Sequence, residues 1–196
     1  MSSERRRLGR QRILNGAVSI LNGGVYGDLT VDALARSLQM SKSTLYKYFA
    51  SKEDVIVAVI DEVCNVTEEQ LDDLVLDGSQ CEASLTAITK ILADHVQRMP
   101  RAAVLQRRRL PAACQDRLAL TRATMGRAYE VLLQSAHDSG AFPFAQPGLA
   151  AVSLLASAEA STLASARGEL SCSRSEAVMT VLALVLPGLR GASPVG

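Results

Sequence analysis

Residues 30–53 read TVDALARSLQMSKSTLYKYFASKE, a pattern that predicts two short helices, a tight turn between them and the start of a third helix. Apolar side chains recur at helical spacing in the first helix and must pack on a neighbouring element; they are Val31, Leu34, Ala35 and Leu38. Ser41 is a natural N-cap for the second helix, which directs Leu45 and Phe49 inward. The stretch is therefore predicted to fold as a helix-turn-helix.

The outward face of the second helix carries cations, hydroxyl groups and an aromatic ring. These residues are Lys42, Ser43, Thr44, Lys47 and Tyr48. A short exposed helix of this composition suits the major groove of DNA, where side chains read base edges and basic groups meet phosphates. The alternative is an ordinary surface helix with solvated lysines, because a run of charge often marks only a wet face.

The residues that flank this helix favour the DNA interpretation. Thr30-Val31, residues 41–49 and Ser51-Lys52-Glu53 together resemble the signature of the TetR/AcrR family of bacterial transcriptional regulators, over roughly the first quarter of the chain. The resemblance implies that eight residues contact DNA: Thr30, Lys42, Ser43, Thr44, Tyr46, Lys47, Tyr48 and Lys52.

Two of these residues also have a structural interpretation. Thr30 caps the first helix, and it is a phosphate contact only by the resemblance. Lys52 lies in the first turn of the third helix, where a cation is unfavourable unless a phosphate is near; the alternative is a solvated lysine. The chain departs from the family at Gln39, where glycine is common, and Gln39 must adopt a turn conformation that glycine reaches at less cost. It departs again in the preceding loop, where Gly23-Gly24 displaces the usual glycine.

Composition favours an all-α fold with charge concentrated at one end. The chain has 196 residues, 48% of them hydrophobic, with 4% aromatics and no tryptophan, and helix-forming residues dominate its periodic stretches. Residues 1–52 hold nine Lys/Arg against three Asp/Glu, a net charge of +6, whereas the other 144 residues carry −5. The charge asymmetry puts the cationic footprint on a DNA-binding head, expected at 1–52. The resemblance implies that 53–196 form a helical effector-binding and dimerisation body.

Further helices are predicted over about 5–22, 52–75, 82–98, 113–139 and 148–167. Loops are predicted at 77–80 and at 143–147, which Pro143 and Pro147 define. Pro100 and Pro111 bracket Arg107-Arg108-Arg109, which we expect to be a solvated loop or helix end, because the resemblance puts this region far from the DNA-binding head.

A capping box at Ser173 and Glu176 begins the last helix, whose residues 177–186 are apolar nearly all round. Such a helix needs cover on several sides. A partner subunit would supply it in a four-helix bundle made from the last two helices of each chain; the alternative is burial within the monomer. A two-fold dimer of this kind predicts a palindromic DNA operator.

The resemblance also implies a small-molecule effector that releases a repressor from DNA. Candidate pocket residues are polar or adaptable side chains on otherwise apolar helices: His95, Met99, Arg122, Met125 and Tyr129. Each has an ordinary alternative as a core or solvated residue. The identity of the effector is not readable from these residues.

Other classes of function are less well supported. His95 and His137 are far apart and lack a metal or nucleophile pattern, so neither an enzyme, a cofactor nor a metal site is expected. The four cysteines, Cys64, Cys81, Cys114 and Cys172, form no CxxC pair and are interpreted as buried small hydrophobes in the reducing cytoplasm. No signal peptide is expected, and a membrane anchor is rejected because 149–166 is rich in Ser and Ala and 177–189 is too short. The alternative function is a constitutive DNA-binding protein controlled by a protein partner or by cysteine oxidation.

Overall fold

The computed structural model describes residues 3–74, 76, 80–141 and 146–191, and within these ranges the chain is all-α without strands, as predicted. The described helices are α1 Ser3–Gly23, α2 Val31–Leu38, α3 Lys42–Tyr46, α4 Lys52–Asp72, α5 Cys81–Arg98, α6 Arg101–Leu105, α7 Ala112–Asp138, α8 Pro147–Arg167 and α9 Arg174–Gly191. Short 3-10 turns lie at Tyr26–Asp28 and Arg107–Arg109.

Hydroxyl side chains begin four of these helices, as the sequence predicts. The Ala33 amide donates to Thr30 Oγ1 at 3.0 Å ahead of α2, and the Thr44 amide donates to Ser41 Oγ at 3.1 Å ahead of α3. Reciprocal capping boxes precede α4, at Ser51 and Asp54, and α9, at Ser173 and Glu176. Each cap satisfies a backbone N–H that the helix itself cannot pair.

Proline placement in the 143–147 region differs in part from the prediction. Pro147 occupies the first position of α8, where its missing N–H costs nothing, so it begins a helix and is not a loop residue. Pro143 and residues 77–79 of the other predicted loop lie outside the described residues.

The chain divides into two compact units. The first unit comprises Met1–Cys64 and Met99–Leu118; the second comprises Asn65–Arg98 and Ala119–Gly196. The boundaries fall inside α4 and α7, so both helices contribute to both units. The functional division at residues 52 and 53 remains a prediction.

The triple arginine is exposed in a short turn, as expected, but its expected distance from the helix-turn-helix is wrong. Residues 99–118, which contain Arg107–Arg109, pack in the same unit as the helix-turn-helix and not far from it. Their buried side chains Met99, Ala102 and Leu110 share one apolar core with α1. The resemblance used for the prediction rests on residues 30–53 and says nothing about which later segment completes this core.

The second unit has its own apolar core. Helix α9 packs on both α5 and α8, and the largest fully buried side chains include Leu85, Ile88, Tyr129 and Leu132. One polar group is enclosed among them: the Tyr129 hydroxyl lies 3.0 Å from Thr89 Oγ1, which donates to the Leu85 carbonyl at 2.7 Å. These hydrogen bonds compensate the desolvation of both hydroxyls.

Cysteine burial agrees with prediction at three positions only. Cys64, Cys81 and Cys114 are buried, whereas Cys172 is exposed, and all four are free thiols. Cys172 is exposed because it lies in the short connection between α8 and α9, not on a packed helix face. Among the described helices, α8 is long and apolar enough to cross a bilayer, a property that core helices of globular proteins share.

Candidate nucleic-acid interface

The turn between α2 and α3 fixes how the second helix of the motif is presented. Gln39 has φ 52° and ψ 43°, the left-handed conformation that its position in the sequence required. The Met40 amide donates to the Ala35 carbonyl at 2.9 Å, and Arg12 on α1 donates to the Leu38 carbonyl at 2.8 Å. The end of α2 is thus held by a side chain from α1, which orients α3 against the rest of the unit.

Helix α3 presents most of the predicted polar face. Leu45 and Phe49 are buried, as predicted. Lys42, Ser43 and Lys47 are exposed, and the Tyr46 ring is 54% exposed. The exposed residues combine cationic and hydrogen-bonding groups, the two kinds of group that contact phosphates and base edges.

Tyr48 departs from the outward orientation predicted for it. Its ring is half-buried against α1, so close to Gly9 that a Cβ atom there would lie 2.6 Å from Tyr48 Cζ. The reason is that α3 ends at Tyr46: the Tyr48 amide bonds the Leu45 carbonyl at 2.9 Å, an i to i+3 bond that tightens the last turn. The tighter turn rotates Tyr48 away from the face that carries Lys42 and Ser43.

Lys42 is held by an acidic residue of the preceding helix. Its Nζ lies 2.5 Å from Asp32 Oδ1, and both side chains are exposed. The hydrogen bond and the charge of Asp32 raise the pKa of Lys42. Asp32 therefore competes with any phosphate for this ammonium group.

The hydroxyl groups at the start of α3 form one network. Ser41 Oγ lies 2.9 Å from Ser43 Oγ and 2.8 Å from Thr44 Oγ1, besides accepting the Thr44 amide. A hydroxyl can donate once and accept twice, so Ser43 and Thr44 keep capacity for a further partner.

Thr30, Tyr46 and Lys52 meet around one small crevice of the first unit, together with apolar residues such as Leu34 and Val55. Lys52 Nζ lies 5.0 Å from the centre of the Tyr26 ring and 4.0 Å from Glu53 Oε1. Lys52 is therefore half-buried over an aromatic ring, and it is not a fully solvated lysine. Three residues far apart in the motif thus share one surface.

Two residues that shape this surface were missed from the sequence. Gly9 admits the Tyr48 ring, and Asp32 binds Lys42. A glycine inside a helix costs stability, which is a signal for close approach by another group. An acidic side chain within the motif was visible too, but its partner depends on how α2 and α3 cross.

The five candidate pocket residues belong to different compact units and different surroundings. Met99 belongs to the core of the first unit, whereas Met125 and Tyr129 are buried in the core of the second. Arg122 lies at the surface, where its Nε donates to Glu159 Oε1 at 2.5 Å.

His95 is the one candidate that is both half-buried and hydrogen-bonded to a neighbouring helix. Its Nδ1 lies 2.9 Å from Thr67 Oγ1 on α4. Burial lowers the pKa of His95 to about 4, against a smaller opposing effect of Glu68. The ring is therefore neutral at pH 7, and the ligand role of these five residues remains a prediction.

Comparison with known proteins supports the interpretation of the first unit. The family described as "Bacterial regulatory proteins, tetR family" matches residues 13–59, which include the whole helix-turn-helix. This match is to the N-terminal part of the family and covers about a quarter of the chain. The matched residues run from the buried Ile13 of α1 to Val59 of α4.

Individual relatives match part of the chain or share the fold. The HTH-type transcriptional regulator EthR of Mycobacterium tuberculosis is 37% identical over 62 residues, which is 32% of this chain and 29% of EthR, so the chain matches less than a third of that relative. A TetR transcription regulator from Haloarcula marismortui has a TM-score of 0.73 at 18% identity, over 92% of this chain and 96% of that one. FadR from Bacillus subtilis, solved in complex with stearoyl-CoA, has a TM-score of 0.64 at 15% identity, over 93% and 99%.

Proposed function

We propose that this protein is a sequence-specific DNA-binding regulator of the TetR family in the cytoplasm. In this proposal it acts as a homodimeric repressor that a small-molecule effector releases from a palindromic operator, and not as an enzyme. The observation that carries the proposal is the exposed face of α3, where Lys42, Ser43, Tyr46 and Lys47 stand beside the Lys52 crevice. Cations and hydroxyls on a short exposed helix of a helix-turn-helix can enter a major groove.

The predicted contacts divide by chemistry. The proposed phosphate contacts are the ammonium groups of Lys42, Lys47 and Lys52. Thr30 is proposed to bind a further phosphate at the N-terminus of α2. The other proposed contacts are with base edges, from Ser43, Thr44 and Tyr46. Tyr48 is proposed to act mainly by supporting α3, because its ring packs on α1 at Gly9.

The exposed faces of the last two helices support the homodimer. Between residues 149 and 160 of α8 the exposed residues are uncharged and small or apolar: Leu149, Val152, Ser153, Ala156, Ser157 and Ala160. On α9, Leu184 is 75% exposed and lies on one face with Thr180, Ala183 and Pro187. Two apolar faces on adjacent helices are what a four-helix bundle between subunits would cover.

Selection of bound fragments from a random duplex pool tests the DNA-binding proposal. The purified chain is expected to enrich an inverted repeat whose half-sites lie about one helical turn apart. Lys47→Ala serves as the control, because it removes an exposed cation of α3 and should reduce enrichment without unfolding the chain. Absence of any enriched sequence would contradict the proposal.

A paired substitution tests the dimer. Val152→Glu with Leu184→Glu places two charges on the α8 and α9 faces and is expected to give monomers in sedimentation or light scattering. Val131→Glu is the matched control, because Val131 is 58% exposed on α7, a helix outside the proposed interface. A double variant that stays dimeric would exclude this interface.

An apolar effector is proposed because the core of the second unit consists mainly of aliphatic side chains. Its buried hydroxyls are few, such as the hydrogen-bonded pair of Thr89 and Tyr129. The fold likeness to FadR, which was solved with stearoyl-CoA, makes long-chain acyl compounds a first panel. A binding ligand should raise Tm and weaken DNA binding, since it must prefer the state that does not bind DNA. A panel member that raises Tm without affecting DNA binding would count against effector release.

Control by cysteine oxidation is less well supported. Burial raises the pKa of Cys81 and of Cys114 to about 11, so both thiols resist forming the reactive thiolate.

A further inference from the structure

Three adjacent arginines form an exposed turn of the first unit. Arg107, Arg108 and Arg109 make up a 3-10 turn whose three side chains are exposed, and Leu110 follows as a buried residue. Their guanidinium groups have no ion-pair partner within the part of the chain that the structure describes. The turn therefore offers three unneutralised cations at one place.

The turn is fixed to the same compact unit as α3. Buried residues before and after it, including Met99, Ala103 and Leu110, belong to the core that also contains Ile13 of α1. Cross-linking hydrogen bonds add to this packing: the Arg101 amide donates to Asn22 Oδ1 at 2.9 Å. The arginines are thus held on a packed segment and not on a free linker.

A short chain of contacts leads from the turn to the proposed phosphate-binding edge. Gln106, the residue just before Arg107, accepts the Tyr26 amide at 3.0 Å through its Oε1. The Tyr26 ring in turn lies 5.0 Å from Lys52 Nζ. Lys52 lines the crevice that also contains Thr30 and Tyr46. The arginine turn therefore adjoins the edge of the surface that α3 and α4 present.

The charge of the first unit depends on this segment. Residues 53–64 contain four acidic residues and no basic one, whereas residues 99–118 contain five arginines and one aspartate, a net charge of +4. The net charge of +4 on residues 99–118 thus offsets the four negative charges at residues 53–64. Such a charge is what release of counterions from a polyanion requires.

We infer that Arg107, Arg108 and Arg109 form a second phosphate-contact surface, which binds the DNA backbone beyond the outer end of each half-site. The inference rests on the proposed function and extends its footprint. The proposed contacts are independent of sequence, because a guanidinium group pairs with the phosphate of any nucleotide. An acidic protein surface is the other polyanion that could be considered, but the contacts through Gln106 and Tyr26 place the arginines beside the DNA-binding edge.

Duplex length and salt dependence test this surface. Two duplexes carry the inverted repeat recovered by selection, one ending at the half-sites and the other extended by about 15 base pairs on each side. Wild-type protein is expected to bind the extended duplex about tenfold more tightly at low salt than the short duplex. The slope of log K against log salt concentration should be steeper by about one unit for each added phosphate contact.

The test variant carries Arg107→Gln, Arg108→Gln and Arg109→Gln. It should bind the two duplexes equally and keep the wild-type affinity for the short one, because α3 is untouched. A control with Lys90→Gln, Arg127→Gln and Arg167→Gln removes the same charge from exposed positions of the second unit and should retain the length dependence. Unchanged Tm in both variants establishes that folding is not the cause.

The outcomes separate the two proposals. Wild-type protein that binds the short duplex but gains nothing from extension overturns the second surface alone, and so does a triple variant with the wild-type length dependence. Wild-type protein that enriches no sequence in the selection overturns the proposed function and this inference together.

Discussion

Asp32 limits the charge that α3 offers to DNA. Its carboxylate holds Lys42 Nζ at 2.5 Å, so a phosphate must displace it to engage that ammonium. We predict that Asp32→Asn increases affinity for duplex DNA several-fold at low salt, with a steeper salt dependence by about one phosphate contact. Titration of a labelled duplex at several salt concentrations measures both quantities.

The matched control is Asp94→Asn, which removes an exposed carboxylate from α5 of the second unit. It changes the net charge equally and should leave the salt dependence unaltered. If both variants strengthen binding by the same factor, net charge and not the Lys42 pair is responsible.

Tyr46 and Tyr48 have different surroundings, so substituting them should affect different properties, DNA affinity for one and stability for the other. Tyr46 is 54% exposed, whereas Tyr48 packs against Gly9. We predict that Tyr46→Ala weakens binding to the enriched sequence with little change in Tm. Tyr48→Ala should instead lower the free energy of unfolding by about 1–3 kcal/mol, because it leaves a gap beside α1. Thermal unfolding together with DNA titration distinguishes them, and equal Tm values for the two variants would refute the assignment.

At the scale of elements, the turn between α2 and α3 carries measurable strain. Gln39 has φ 52°, a left-handed conformation in which its Cβ atom crowds the following carbonyl oxygen. We predict that Gln39→Gly stabilises the chain by about 1 kcal/mol, seen as a Tm increase of a few degrees. Gln39→Ala is the control, because it keeps a Cβ and should bring no comparable gain.

Local signals were enough to place most elements. Thr30, Ser41, Ser51 and Ser173 each cap a helix where the sequence predicts one, because a cap is decided by residues three positions apart. The turn conformation at Gln39 was expected from the resemblance, because the family commonly has glycine at that position, and the residue is left-handed.

Long-range packing decided what the sequence could not predict. The orientation of Tyr48 depends on a space at Gly9, thirty-nine positions earlier in the chain, and on a tightened last turn of α3. The pairing of Asp32 with Lys42 depends on how two helices cross. The place of residues 99–118 in the core of the first unit depends on contacts with α1, whose apolar periodicity does not say which later segment covers it.

At the scale of the whole molecule, His95 couples folding to pH. Its pKa is lowered to about 4 in the folded chain from an ordinary value of 6.5, because burial penalises the imidazolium. Between these values the unfolded chain binds a proton that the folded chain does not, so stability falls as pH falls from 6.5 toward 4. Above pH 6.5 the ring is neutral in both states and contributes no pH dependence.

Chemical denaturation across this window tests the coupling. As the pH falls from 6.5 toward 4, we predict that the wild type loses about 1 kcal/mol more unfolding free energy per pH unit than the His95→Gln variant. His137→Gln, at an exposed position of α7, is the control and should follow the wild type. Parallel pH profiles for His95→Gln and wild type would show that another group dominates.

The composition of the first unit limits how this protein can be re-engineered. Regulators with new specificities are commonly imagined as chimaeras that join the N-terminal segment of one protein to the remainder of another. Here such a graft would exchange α1 to α3 while leaving behind Met99, Ala102, Leu110 and their neighbours, which fill the same apolar core. A transplant that preserves folding must carry residues 99–118 along with residues 1–64, so the exchangeable cassette is discontinuous in sequence.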